Sequence, residues 1–135
     1  MISLTAVPMI VRRRICAAHG ALIAALSLMP AWMFPPSASR IPGFDKVVHA
    51  AMYGGLGALL RWAAGGKSIL PAARWLPAAG AGYGLLMELL QPWIGGAGRT
   101  FSWGDAWANL AGIAVGWIVA DRLAGGADGG SKHAE

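Results

Sequence analysis

Charge is scarce in this chain. Only 13% of its 135 residues are Asp, Glu, Lys or Arg, whereas 56% are hydrophobic, and the mean hydropathy is +0.53. Together with 20 glycines, this composition does not fit an ordinary water-soluble globule. The length is that of one domain. We therefore look for segments that could lie in a lipid bilayer.

Cysteine is almost absent. The single Cys16 has no partner within the chain for a disulfide, and no lipidation motif surrounds it. We interpret Cys16 as a small apolar residue that fills space between helices.

Acidic residues are outnumbered, which gives a net charge of +5 and a pI near 10.2. No continuous basic face is visible, so we predict no nucleic-acid partner. Eight of the 11 basic residues instead precede the first apolar stretch, follow the fourth, or separate the second from the third. By the positive-inside rule this bias predicts that both termini are cytoplasmic. The eight are Arg12, Arg13, Arg14, Arg61, Lys67, Arg74, Arg122 and Lys132, and the other three are Arg40, Lys46 and Arg99.

Four apolar stretches are each close to the ~20 residues that cross a hydrocarbon core. They cover residues 15–34, 46–64, 72–94 and 103–121. Because backbone groups in lipid must bond within their own segment, we predict an all-α fold, an integral bundle of four transmembrane helices in the inner (plasma) membrane. The predicted parts are a cytoplasmic segment 1–14, a transmembrane domain 15–122 and a disordered cytoplasmic tail 123–135. We expect the first span to be retained, because its apolar run is longer than that of a secretory signal.

Several residues indicate where helices begin and end. Asp45 stands where an N-cap is expected, and Ser102 with Asp105 forms a capping box. The Pro35-Pro36 pair is expected to end the first helix. Gly80-x-x-x-Gly84 and Gly112-x-x-x-Gly116 predict close approach of neighbouring helices.

The few polar residues of the apolar stretches recur at helical spacing and continue into these small-residue stripes. They should therefore face the bundle interior. Eight polar residues from three of the stretches and one loop fall within one or two turns of the predicted outer side of the membrane, which indicates a polar pocket that opens outward. Its expected ligand-binding residues are Asp45, Lys46, His49, Glu88, Gln91, Arg99, Asp105 and Asn109.

Each of these residues also has a structural explanation. Asp45 could only cap a helix, Lys46 could only extend to the interface, and Arg99 could only fix orientation. Glu88 is harder to explain in this way, because a carboxylate inside a span must be paired, protonated or hydrated. A structural ion-pair network remains the main alternative to a functional site.

Taken together, the motifs resemble those of VanZ-like membrane proteins. The resemblance covers residues 44–120 and is carried by Asp45-Lys46-x-x-His49, Glu88-x-x-Gln91, Arg99, and Asp105-x-x-x-Asn109-x-x-Gly112. It implies a small multi-span membrane protein and the context of glycopeptide-antibiotic resistance, without implying a reaction. The connection 92–98 is longer than usual for this family, which bears most on the position of Arg99.

Three functions fit these residues. The first is binding, or acting on, a lipid-linked or lipophilic molecule of the cell envelope, such as an envelope precursor or a lipophilic antibiotic. The second is an enzyme acting on a lipid-linked phosphate, with Glu88, Asp105 and His49 as catalytic candidates and Arg99 or Lys46 holding the phosphate. The third is a small transporter. His49, Glu88 and Asp105 could also ligate a metal, but no HxH or HxxxH spacing is present, so we predict neither metal nor cofactor.

Overall fold

The protein is described from a computed structural model, which covers residues 7–34, 41–65, 71–96 and 98–129. These residues form four α-helices and no strand, which confirms the predicted all-α class. Two short 3-10 helices, Ala31–Met33 and Pro71–Trp75, precede α2 and α3. The helices are α1 (Met9–Leu28), α2 (Phe44–Ala64), α3 (Leu76–Ile94) and α4 (Trp103–Gly129).

The first helix lies earlier in the chain than predicted. It begins directly after Pro8, within the segment 1–14 that was expected to precede the bundle. It ends at Leu28, because Pro30 forces Met29 into an extended conformation (ψ 136°). The prediction that Pro35-Pro36 ends this helix is therefore wrong, and residues 35–40 lie outside the described part of the chain.

A glycine precedes the start of α2, and a proline lies at the start of α3. Gly43, with φ 76°, is the N-cap of α2, so Asp45 lies in the first helical turn and is not the cap as predicted. Its carboxylate there still faces the positive end of the helix dipole. Pro77 is the second residue of α3, where a missing N–H has no cost, and this helix begins at Leu76, within the predicted stretch 72–94.

The fourth helix begins with the expected cap and extends further than expected. The backbone N–H of Asp105 donates to Ser102 Oγ at 3.2 Å, which is one half of the capping box. The helix then continues to Gly129, so residues 123–129 are helical, contrary to the disordered tail predicted for 123–135. Residues 130–135 lie outside the described residues.

Contacts between helix ends define the topology. Lys46 contacts Asp105 near the starts of α2 and α4, and Arg61 contacts Asp121 near their other ends, so these two helices are parallel. Arg12 at the start of α1 donates to the Trp62 carbonyl near the end of α2, so α1 is antiparallel to α2. His49 near the start of α2 meets Glu88 near the end of α3. The four helices therefore alternate in direction along the chain. The start of α1 lies at the same end of the bundle as Asp121.

Glycines bring α2 and α4 into backbone contact. A Cβ on Gly116 would collide with the carbonyl group of Gly54, and one on Gly112 would collide with the Ala50 carbonyl. On the opposite helix, a Cβ on Gly57 would collide with the Ile113 carbonyl. The predicted close approach at Gly112 and Gly116 is thus confirmed, and it fixes the distance between the two helices that carry His49 and Asn109.

Between the two ends the bundle has a small apolar core. Its members include Ile23, Tyr53, Leu56 and Ile113, all buried. Many large apolar side chains instead lie exposed on the outer helix faces, among them Leu22, Leu89, Val115, Ile118 and Leu123. By combined length, hydropathy and charge content, none of the helices in the described residues qualifies as a membrane span.

Candidate functional site

Glu88 lies at the centre of a buried polar cluster, which we define as His49, Glu88, Gln91, Asp105 and Asn109. Its side chain is 0% exposed, six residues before the end of α3. Glu88 Oε1 accepts hydrogen bonds from Gln91 Nε2 at 3.2 Å and from Asn109 Nδ2 at 3.4 Å. His49 Nδ1 lies 3.4 Å from the same oxygen. Three helices thus converge on one carboxylate oxygen.

Asn109 connects the histidine to the glutamate. His49 Nδ1 lies 3.0 Å from Asn109 Oδ1, and the Nδ2 group of the same amide donates to Glu88. With the amide in this orientation, His49 donates its Nδ1–H to an oxygen. Asn109 is itself buried at 1% exposure, so both ends of its amide are satisfied inside the protein.

Gly84 makes room for this arrangement. A Cβ on Gly84 would lie 3.0 Å from Tyr53 Cε1 and 3.1 Å from Asn109 Cβ, tighter than ordinary contacts allow. The glycine therefore lets α3 approach α4 one turn from Glu88. As predicted, the small-residue stripe of α3 continues into its polar stripe: Gly84 and Glu88 both face Asn109 of α4.

A charged rim links the cluster to the exterior. Lys46 Nζ lies 3.5 Å from Asp105 Oδ1 and donates to Asp45 Oδ2 at 3.0 Å. The Asp105 side chain is 13% exposed, whereas those of Lys46 and Asp45 are 48% and 55% exposed. Asp45 stands just before the apolar stretch, and the hydrogen bond from Lys46 holds the pKa of its carboxyl below the usual value. Lys46 is thus shared between an exposed carboxylate and a largely buried one.

The cluster and its rim carry more negative than positive charge. Asp45, Glu88 and Asp105 supply three carboxylates, against one lysine and a histidine. Two carboxylate oxygens, Glu88 Oε2 and Asp105 Oδ1, are buried without a hydrogen bond, although Asp105 keeps its ion contact with Lys46. The Ser102 amide also faces the Glu88 carboxylate, without forming a regular hydrogen bond. Such a site is suited to hydrogen-bond donors and cations.

Three donor residues of the cluster meet closely enough to share an ion. His49, Glu88 and Asp105 each place one ligand atom within 4.8 Å of the others. The sequence suggested no metal, because the three residues stand on three different helices and make no local motif. Only the topology brings them together.

Arg99 does not join the cluster. Its guanidinium donates to the Met29 carbonyl at 3.2 Å and to the Leu26 carbonyl at 3.1 Å. It also stacks over the Phe34 ring at 4.9 Å. Arg99 therefore satisfies the free carbonyls at the C-terminal end of α1, where a cation is favourable. The sequence placed Arg99 among the ligand-binding residues, whereas in the structure it contacts the end of α1.

Among the polar contacts that the sequence did not predict, two involve buried or titratable side chains outside the cluster. Buried Arg61 donates through Nε to Asp121 Oδ1 at 2.6 Å, at the opposite end from the cluster. His19 Nε2 lies 2.9 Å from the Met52 carbonyl and joins α1 to α2. Only the unusual positions of Arg61 and Asp121 at matching ends of two apolar stretches could have indicated the ion pair.

Comparison with known proteins gives one result. Residues 3–124 match the family model described as VanZ/LLP1, which covers nearly the whole chain. Neither the curated proteins nor the solved structures include a match. The resemblance carried by the motifs of α2, α3 and α4 is thereby confirmed, and the chain belongs to the VanZ/LLP1 family.

Proposed function

We propose that this protein is a multi-pass protein of the plasma membrane whose polar cluster binds the polar part of a lipid-linked or lipophilic envelope molecule. One observation carries the proposal. A fully buried carboxylate, held by three helices, lies close to one end of a bundle whose outer faces are apolar. Buried charge on apolar helices is costly, and it is typical of a binding or transport site.

The membrane part of the proposal is supported by composition and by the surface. Exposed apolar side chains on the outer faces are expected where lipid, rather than water, surrounds a bundle. Basic residues at the end opposite to the cluster favour the cytoplasm for that end. Those that the structure describes are Arg12, Arg13, Arg14, Arg61, Arg74 and Arg122.

The charge of the cluster favours one kind of ligand. Excess carboxylate repels a bare phosphate and attracts hydroxyl, amide N–H and ammonium groups. Sugars and peptides of envelope precursors and of glycopeptides are rich in such groups. Their lipid portions would remain in contact with the apolar helix faces.

The alternatives are weakened by two placements. A phosphate-processing enzyme was expected to use Arg99 or Lys46 as its clamp, but Arg99 contacts the end of α1. A transporter would need polar groups along the bundle, whereas Ile23, Leu56 and Ile113 fill its centre.

Binding to the purified protein, stripped of metal ions with a chelator and placed in lipid nanodiscs, tests the proposal. We compare a polyprenyl phosphate that carries a disaccharide with the same polyprenyl phosphate without the sugar. We expect the sugar-bearing lipid to bind at least about tenfold more tightly, because each hydrogen bond from a donor to a buried carboxylate contributes ~1.5–3 kcal/mol. Asp105→Asn should reduce this preference. Asp128→Asn, which removes the same charge from the far end of α4, should preserve it. Equal binding of both lipids, or equal preference in both variants, would contradict the proposal.

A further inference from the structure

We propose that the cluster is a binding site for a divalent transition-metal ion, with His49, Glu88 and Asp105 as ligands and Zn²⁺ or Mn²⁺ as the ion class. The inference concerns the ion alone and does not rest on the proposed envelope ligand. One imidazole and two carboxylates are a donor set suited to these ions.

The geometry is close to that of a site. The three donor atoms lie within 4.8 Å of one another. Metal–ligand distances of ~2.0–2.2 Å allow donors to lie at most ~4.4 Å apart, so the widest pair need close by only a few tenths of an ångström. Side-chain torsions of Asp105, at the rim of the cluster, can supply that adjustment.

Buried carboxylate oxygens without hydrogen bonds are available to bind a cation. Glu88 is 0% exposed, yet its Oε2 accepts no hydrogen bond from the described residues. Asp105 Oδ1, also buried, has only an ion contact with Lys46 at 3.5 Å. Buried carboxylate oxygens are ordinarily paired, and a metal ion would satisfy both at once.

The charge balance agrees with a divalent ion. When ionised, Asp45, Glu88 and Asp105 supply three negative charges, and Lys46 supplies one positive charge. With neutral His49 the group is left with a charge of −2, which a divalent ion cancels. Lys46 can release Asp105 and keep its 3.0 Å contact with Asp45, because its side chain is 48% exposed.

The other members of the cluster would orient the ligands. Gln91 and Asn109 donate to Glu88 Oε1, which leaves Oε2 without a hydrogen bond and able to ligate. For His49 Nδ1 to ligate, its proton must reside on Nε2, and the ion then replaces the hydrogen bond to Asn109 Oδ1. Outer partners of this kind hold metal ligands in place and raise affinity.

Metal analysis of the intact protein tests the inference. The protein is purified with a histidine-free tag, stripped with a chelator, and exposed in turn to Zn²⁺, Mn²⁺, Mg²⁺ and Ca²⁺ before elemental analysis. We expect about one Zn²⁺ or Mn²⁺ per chain, an increase in melting temperature on binding, and a d–d absorption band after Co²⁺ substitution.

Matched variants locate the ion. Glu88→Gln and His49→Gln should each weaken binding at least about tenfold and abolish the melting-temperature shift. His19→Gln, which removes a histidine outside the cluster, should bind as the wild type does. A stripped wild-type protein that takes up no stoichiometric transition ion would overturn the inference whatever the variants do. Undiminished binding in Glu88→Gln, or uptake of Mg²⁺ or Ca²⁺ only, would overturn it as well.

Discussion

Glu88 is the most deeply buried acidic or basic side chain among the described residues. Its nearest basic neighbour is His49, while Lys46 is paired with Asp45 and Asp105, and Arg99 contacts α1. Removing the charge of Glu88 therefore leaves neither a lysine nor an arginine stranded in the interior. This separates the functional interpretation of Glu88 from a purely structural one.

We predict that Glu88→Gln folds normally and loses function. The amide keeps the volume and can still accept from Gln91 and Asn109, so the free energy of unfolding should fall by no more than about 1 kcal/mol. Thermal unfolding in detergent measures the stability of the variant. Survival of cells under a lipoglycopeptide antibiotic measures its function. Glu88→Ala is the matched control, since it strands the donors of Gln91 and Asn109 and should cost about 2–3 kcal/mol. A Glu88→Gln protein as unstable as Glu88→Ala, or one with full activity, would contradict the prediction.

Arg99 leads to the opposite prediction. Because it satisfies two carbonyls at the end of α1, Arg99→Gln should lower the free energy of unfolding by about 1–3 kcal/mol. Ligand binding by the protein that remains folded should be unchanged. Arg99→Lys keeps the charge but cannot donate to both carbonyls, so its stability should lie between those of the wild type and Arg99→Gln. Loss of ligand binding in a stably folded Arg99→Gln protein would show that Arg99 takes part in binding.

At the scale of elements, the contact between α2 and α4 sets the geometry of the cluster. The two helices carry His49 and Asn109, and their backbones touch through Gly54 and Gly116. A side chain at the contact would push the helices apart. It would also separate the histidine from the asparagine, one to two turns away.

We predict that Gly116→Ala destabilises the bundle by more than about 2 kcal/mol, because the new Cβ meets the rigid Gly54 backbone. Gly82→Ala is the matched control. A Cβ at Gly82 meets nothing within 4 Å, and alanine should stabilise that helical position by about 0.5–1 kcal/mol. Melting temperatures in one detergent compare the pair. Similar values for both variants would show that α2 and α4 are not held by this contact.

The elements also show where sequence reasoning succeeds and fails. Helical spacing was enough to group His49, Glu88, Gln91, Asp105 and Asn109, because period alone places them on interior faces. It could not place Arg99, whose long side chain reaches back to α1 across a glycine-rich connection. The end of α1 was missed because Pro30 was assigned to the interior of an apolar stretch. Local backbone restriction by proline proved stronger than hydropathy.

At the scale of the whole molecule, charge divides between the two ends. The cluster and its acidic rim lie at one end, and the Arg61–Asp121 pair lies at the other with Arg12. The start of α1 and Asp121 lie at the same end of the bundle, and the proposed membrane topology would place this end on one side of the bilayer. Which side that end faces follows from the basic bias and remains a prediction.

The last prediction concerns this orientation and uses single cysteines on a Cys16→Ala background. Ile41→Cys and Trp103→Cys mark the end with the cluster, and Arg74→Cys and Leu123→Cys mark the other; all four positions are exposed. We expect an impermeant maleimide to label the first pair on intact cells. The second pair should react only after permeabilisation, because positive charge favours the cytoplasm. Leu89→Cys, exposed on an apolar face, should resist labelling until detergent removes the lipid. Reversed labelling of the pairs would invert the orientation. Labelling of all five positions without detergent would show that water, rather than lipid, surrounds the bundle.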